Sequence, residues 1–295
     1  MNPARKSYTY AFIAILFWAT VPTAFKVSLG ELSIIQMLTI ASVTSTTALF
    51  IVTIISRKTL TVKKITVNDI ASSALMGFIN PFIYYIILLN AYSLLPAQVA
   101  QPVNMIWPIV LAFLSVPLLK QKIPVKNFIA LFISFAGIYI ISSQGSLFSP
   151  GHASFKGIVL AAGSSFFWAI YFIMNMRDKR DESVKLFFNF MFGSLYLIIA
   201  LMFKGEPLGT INIKGIAASV YIGLFEMGIT FLFWLKALQA AETTDKVSKL
   251  VYLSPFLSLI FVHFFLHERI FFTTVAGLLL IITGILIGNL KQTSD

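Results

Sequence analysis

Apolar residues run along this chain in long blocks separated by short polar stretches. The blocks cover 9–29, 33–56, 70–92, 96–119, 125–143, 155–176, 184–203, 213–239, 246–266 and 270–290. Each is close to the length a helix needs to cross a bilayer, roughly 17 to 25 residues. Ten such blocks predict an all-α integral membrane protein of ten transmembrane helices. The longest connector, 57–69, is short and polar, which leaves no room for a soluble domain.

Composition agrees with the pattern. The 295 residues are 58% hydrophobic and 11% charged, with a mean hydropathy of +0.89. That is more apolar surface than a soluble core uses. There is no cysteine, so disulfide and thiolate chemistry is excluded. The net charge of +11 raises the question of nucleic acid. The 22 basic residues are instead spread over many loops, not gathered in one stripe. With the N-terminus in the cytoplasm, fifteen of them fall on the cytoplasmic side, Arg57, Lys58, Lys63 and Lys64 among them. Four fall opposite, at Lys156, Lys204, Lys214 and Arg269, and Lys26, Lys236 and Lys249 lie inside blocks. This imbalance predicts that both termini are cytoplasmic. The first block carries bulky Phe12, Phe17, Trp18 and Phe25 and no small-x-small cleavage pattern, so it reads as a retained span.

The two halves resemble each other. "AFIAILFWAT" (11–20) aligns with "AAGSSFFWAI" (161–170), placing Trp18 on Trp168. "IASSALMGFINP" (70–81) aligns with "IAASVYIGLFEM" (216–227), placing Gly77 on Gly223 and Asn80 on Glu226. Pro108 falls on Pro255, and Gly137 on Gly284. Five spans per half is an odd number, so the second half enters the membrane from the other side. The expectation is two inverted five-helix repeats, 1–145 and 153–290, with a site near mid-membrane between them.

"FWATVPTAFK" in span 1, "LLPAQVAQPVNMIWPIVLAF" through span 4, "FISFAGIYII" in span 5 and "YLSPFLSLIFVHFFLHERI" with "VAGLLLIITGILIG" at the end carry a resemblance across nearly the whole chain. In that combination the sequence resembles the drug/metabolite transporter superfamily, in its ten-span EamA-type branch. The resemblance implies a carrier of the bacterial inner membrane, often an exporter of amino acids or other small metabolites. It also implies a central cavity walled by spans 1, 3, 4, 6, 8 and 9.

Polar residues inside the blocks are the candidates for chemistry. Glu226 is the one acidic residue at the middle of a span. A charge at the bilayer centre costs about 3 kcal/mol on insertion scales, so such residues are usually functional. On an unbroken helix it shares a face with Gly223, Thr230 and Phe233. It is expected to bind a proton or a substrate's ammonium group and to couple the two. Asn80 is its repeat partner, followed by Pro81, Tyr84 and Tyr85. Gln101, Asn104 and Pro108 share a helical face in span 4, where Pro102 and Pro108 each remove a backbone donor. Trp18 and Trp168 lie too deep for an interfacial belt. The predicted substrate site is therefore Trp18, Asn80, Tyr84, Gln101, Asn104, Trp168 and Glu226. Packing of rings and hydrogen bonds between helices is the bland alternative for each.

His263 and His267, followed by Glu268, have the spacing of a metal pair but no clear third ligand, so neither a metal nor a cofactor is expected. Gly284 and Gly288 let another helix approach closely, in the same or another subunit. No G-x-x-x-x-G-K-[ST] loop for ATP is present. The leading reading is a secondary transporter of a small molecule in the lipid bilayer, a monomer or weak homodimer that does not bind nucleic acid. The alternatives are an intramembrane enzyme, or a carrier importing a cationic or nucleotide-like metabolite.

Overall fold

A computed structural model of the chain describes residues 3–56, 65–119, 125–146, 153–206, 212–241, 247 and 249–288. Every regular element among them is helical. The helices are α1 (Pro3–Leu29), α2 (Ile34–Ile55), α3 (Val67–Gly77), α4 (Tyr84–Leu94), α5 (Ala97–Asn104), α6 (Trp107–Leu119), α7 (Val125–Ser142), α8 (Phe155–Arg177), α9 (Glu182–Lys204), α10 (Ile213–Phe225), α11 (Ile229–Gln239), α12 (Ser254–Leu266) and α13 (Phe272–Gly288). A π segment, Phe78–Ile83, joins α3 to α4, and a 3₁₀ turn, Lys249–Leu253, leads into α12.

Among the described residues, eight continuous or near-continuous helical segments are long and apolar enough to cross a membrane, from Arg5–Leu29 to Ile213–Gln239. Two more, Leu250–Leu266 and Phe272–Gly288, are apolar but shorter. The first of these ends at His267, whose φ of 55° turns the chain out of the helix one residue before Glu268. Large apolar side chains such as Phe12, Ile55, Phe132 and Phe203 point outward, as a lipid-facing surface requires. The interior is mainly apolar, with buried serines and threonines through which some helices meet. Ser28 Oγ lies 2.8 Å from Ser219 Oγ, and Ser42 Oγ lies 2.8 Å from Ser194 Oγ.

α1 packs against α10, α11 and α12, and α8 packs against α4, α5 and α6. α2 lies against α9 and α10; α9 lies against α2, α3 and the π segment. Glycines set the closest approaches. A methyl group on Gly77 would stand 2.3 Å from Asn189 O of α9, and one on Gly223 would stand 2.3 Å from Ala41 O of α2. α7 and α13 cross reciprocally: Gly137 meets Gly277 O, and Gly284 meets Ala130 O. Gly284 thus packs within its own subunit.

Two clamps hold loop ends. Arg180 Nη2 lies 2.5 Å from Asp178 Oδ2 and donates to Ser73 Oγ at 2.9 Å, tying the α8–α9 connection to α3. Partial burial pushes the Asp178 carboxyl up, but hydrogen bonds and charge from Arg180 outweigh it and hold the group below the usual carboxylate value of 3.8. At the opposite end, Lys214 Nζ lies 3.6 Å from Glu31 Oε1. Lys63, Glu242 and Asp245 lie outside the described residues.

Candidate functional site

Two spans break where the repeat alignment pairs Asn80 with Glu226. The third runs as α3 to Gly77, loosens through the π segment and resumes at Tyr84. Asn80 leaves helical geometry there, with φ −144° and ψ 119°, and Pro81 has no N–H to donate. The eighth span ends its first helix at Phe225 and restarts at Ile229, with Gly228 at φ −124° and ψ −97°.

This corrects the expectation of one unbroken helix over 213–239. Side chains replace the missing helical turn. Ser45 Oγ donates to Met227 O at 2.9 Å, and Thr230 Oγ1 donates to Phe225 O at 2.5 Å. Such a break persists at membrane depth only where protein or water satisfies the freed groups. The shared face expected for Glu226, Gly223, Thr230 and Phe233 is lost with the helix. Gly223 packs on α2, Thr230 is fully buried, and the Phe233 ring stands 6.0 Å from that of Tyr10.

Glu226 is half-buried in the interior of the bundle. Tyr85 Oη donates to its Oε1 at 3.0 Å. The neighbouring Tyr84 turns the other way and donates to Asn104 Oδ1 at 3.3 Å, and Asn104 Nδ2 donates to Ser164 Oγ at 2.8 Å. Two adjacent tyrosines at the start of α4 therefore link spans 3, 4, 6 and 8. Their rings lie edge to face, 4.7 Å apart.

An aromatic wall continues from Tyr84. Trp168 lies 5.1 Å from it, Phe231 lies 6.3 Å from Trp168, and Trp18 lies 5.7 Å from Phe231. Trp107 adds to one end, 6.4 Å from Trp168, and Trp234 to the other, 5.4 Å from Trp18. All four tryptophans are half-buried. Trp18, Tyr84, Asn104, Trp168 and Glu226 are thus joined through direct contacts or one intervening ring.

Gln101 and Asn80 stand apart from that group. The fourth span breaks at Met105 and Ile106, between α5 and α6, so Gln101, Asn104 and Pro108 do not share the expected face. Gln101 accepts a hydrogen bond from Ser258 of α12 instead. Asn80 is 2% exposed, and its buried Oδ1 finds no hydrogen-bond partner. A groove of about 370 Å³ lies elsewhere, on the flank between α2 and α9, beside Thr46, Met191 and Leu195.

The other candidates resolve simply. His263 Nδ1 lies 3.0 Å from Glu268 O, while the Glu268 carboxylate turns away and accepts from Ala97 N at 2.9 Å and Gln98 N at 3.3 Å. No group of three His, Cys, Asp or Glu side chains gathers among the described residues. Lys26 is half-buried and feels the Glu268 carboxylate, and Lys236 is exposed, its Nζ 6.0 Å from the Tyr10 ring centroid.

A family model of EamA-like transporters matches residues 5–143 and again 155–290. The chain belongs to the EamA-like transporter family. Its relatives include the Uncharacterized transporter YvbV of Bacillus subtilis, 27% identical over 223 residues, covering 74% of this chain and 72% of that one. An uncharacterized transporter of Archaeoglobus fulgidus is 25% identical over 96% of this chain and 98% of its own. One from Clostridium kluyveri is 24% identical over 99% and 96%. A crystal structure 17% identical in sequence superposes with a TM-score of 0.66 over 96% of both chains, which shows a shared fold. This EamA-like chain is a multi-pass membrane transporter.

The site predicted from sequence holds Tyr84 but lacks Tyr85, Phe231 and Ser164, which the structure brings to this EamA-like site. The offset that places Asn80 on Glu226 places Tyr85 on Phe231, so the repeat itself carried a signal for both rings.

Proposed function

We propose that this transporter is a secondary carrier of the bacterial inner membrane that exports a small amphipathic metabolite, such as an amino acid, and couples export to protons at Glu226. Its frame is ten crossings in two inverted five-helix repeats, residues 1–145 and 153–290, with both termini cytoplasmic. The reciprocal contacts of Gly137 and Gly284, and the matched contacts of Gly77 and Gly223, support that symmetry. So does the pairing of breaks at Asn80 and Glu226.

One observation carries the functional reading: a half-buried carboxylate at a broken mid-span helix, faced by a tyrosine and an aromatic wall. The single hydrogen bond from Tyr85 leaves most of the carboxylate's acceptor capacity open. A bare anion at that depth is costly, so the group holds either a proton or a cationic partner. A solute's ammonium group and a proton then compete for one site. Loading of one follows release of the other, which couples their movements. The rings of Trp18, Trp168 and Tyr84 pack the solute's apolar part, and Asn104 supplies a polar contact. Nothing in this scheme makes or breaks a covalent bond.

The test is Glu226→Gln in proteoliposomes loaded with radiolabelled amino acids. The variant is expected to fold and to exchange solute down a gradient, but to lose accumulation driven by a proton gradient. A wild-type rate with a wild-type pH profile would make Glu226 a structural residue.

A further inference from the structure

Tyr85 does more than face the candidate site. α4 starts one residue earlier, directly after the non-helical stretch at Asn80, and is a half-helix of its own. The Tyr85 ring stands edge to face with Phe25 of α1, at 6.3 Å and 74°. Phe25 meets Tyr92 in the same way, at 5.2 Å and 76°. Tyr85, Leu88 and Tyr92 fall at i, i+3 and i+7 and so share one face of α4. Phe25, Leu88 and Tyr92 are 2%, 3% and 2% exposed, so the bundle is shut at the end where α1 and α4 finish.

The other side of Glu226 is packed unevenly. α10 begins beside Glu31, at the shut end, so the chain beyond the break leads away from it. There Ala11, Ala237 and Val247 are buried together, but Trp18, Phe231 and Trp234 are only half-buried. Glu226 therefore sits between the tight Phe25–Tyr92 contact and a looser aromatic wall, and its hydrogen-bond partner belongs to the helix that makes the tight contact.

We propose that Tyr85 is a positioning residue that latches α4 shut: its hydroxyl, held by Glu226, keeps the Phe25–Tyr92 seal in place, and an occupant that takes the carboxylate from Tyr85 frees α4 to swing. The occupant need only bind more tightly when the hydroxyl has left, since a ligand shifts an equilibrium by its differential affinity alone. The hinge is the π segment, the kind of irregularity often found where helices carry function. The meaning of the latch for transport rests on Glu226 being the binding group, yet the latch itself is measured without substrate or proton gradient. Its outcome is therefore separate from that of the flux experiment.

The cysteine-free chain permits two single reporters, Leu88→Cys at the sealed end and Trp234→Cys on the looser side. A membrane-impermeant maleimide is applied to each face of sealed vesicles in turn. Tyr85→Phe keeps the ring and removes only the hydroxyl. It is expected to speed labelling at position 88 several-fold, the scale of one neutral hydrogen bond. Labelling at 234 is expected to slow, because opening one end closes the other. Glu226→Ala should act in the same directions, and the double variant should add little to either alone. Faster labelling at both positions would mean a loosened fold, and unchanged labelling at 88 would mean no latch; either result overturns the proposal.

Discussion

Tyr84 and Tyr85 are neighbours in sequence with opposite duties, because successive residues on a helix point about 100° apart. One hydroxyl goes to Asn104 and the other to Glu226. Tyr84→Phe removes a donor from the polar side of the site and leaves its ring on Trp168. We expect apparent KM to rise several-fold with little change in kcat, about the effect of one neutral hydrogen bond. Solute flux against concentration measures it. Asn104→Ala takes away both of its contacts, with Tyr84 and with Ser164, and should weaken uptake further. Glu226 was legible in the sequence because an acid in an apolar run is conspicuous at any register. Its partner was less so: the repeat sets Tyr85 on Phe231, but tyrosine is as ordinary in a packed interior as in a site, and only the geometry brings its hydroxyl to the carboxylate.

Elements were legible to the extent that lipid dictates them. A bilayer demands uninterrupted apolar length, so spans emerge from hydropathy alone. The breaks within them do not, because an average over many residues cannot sense one lost hydrogen bond. The prolines of span 4 announced its break; those at Asn80 and at Glu226–Met227–Gly228, the latter without a proline, fall inside blocks that hydropathy gives as single helices. Helix contacts depend on still smaller features. Gly223→Val would press a side chain into Ala41 O of α2, and we expect it to lower stability by about 1–3 kcal/mol. Gly163→Ala meets nothing within 4 Å and should be neutral or raise stability by up to about 1 kcal/mol. Thermal unfolding in detergent distinguishes them. The Arg180 clamp adds a pH signature. Because the folded carboxyl of Asp178 lies below 3.8, its contribution is complete at neutral pH. It fades as pH falls below the ordinary value and is lost through the folded one. Arg180→Met should therefore destabilise at pH 7, and by progressively less as pH falls through the folded value.

At the scale of the molecule, orientation follows from charge. Lys179, between α8 and α9, belongs to the basic side, and Lys214, at the start of α10, to the other. A cysteine at 179 should resist an impermeant thiol reagent in intact cells, and one at 214 should react; the reverse pattern would invert the topology. That prediction needs no structure, since loop charge decides it. What the sequence withheld at this scale was full convergence: the repeat sets Trp18 and Trp168 in one predicted site, but nothing in the spacing says that Trp107 and Trp234 join them. They form two close pairs joined by Phe231, and the chain has no other tryptophan. Ultraviolet excitation at the red edge of protein absorption thus addresses the centre of the bundle alone. Emission from the unlabelled protein reports the polarity of that one place, free of background from the loops or the lipid-facing surface. Candidate solutes are then ranked by titration in a cuvette, before any transport has been measured.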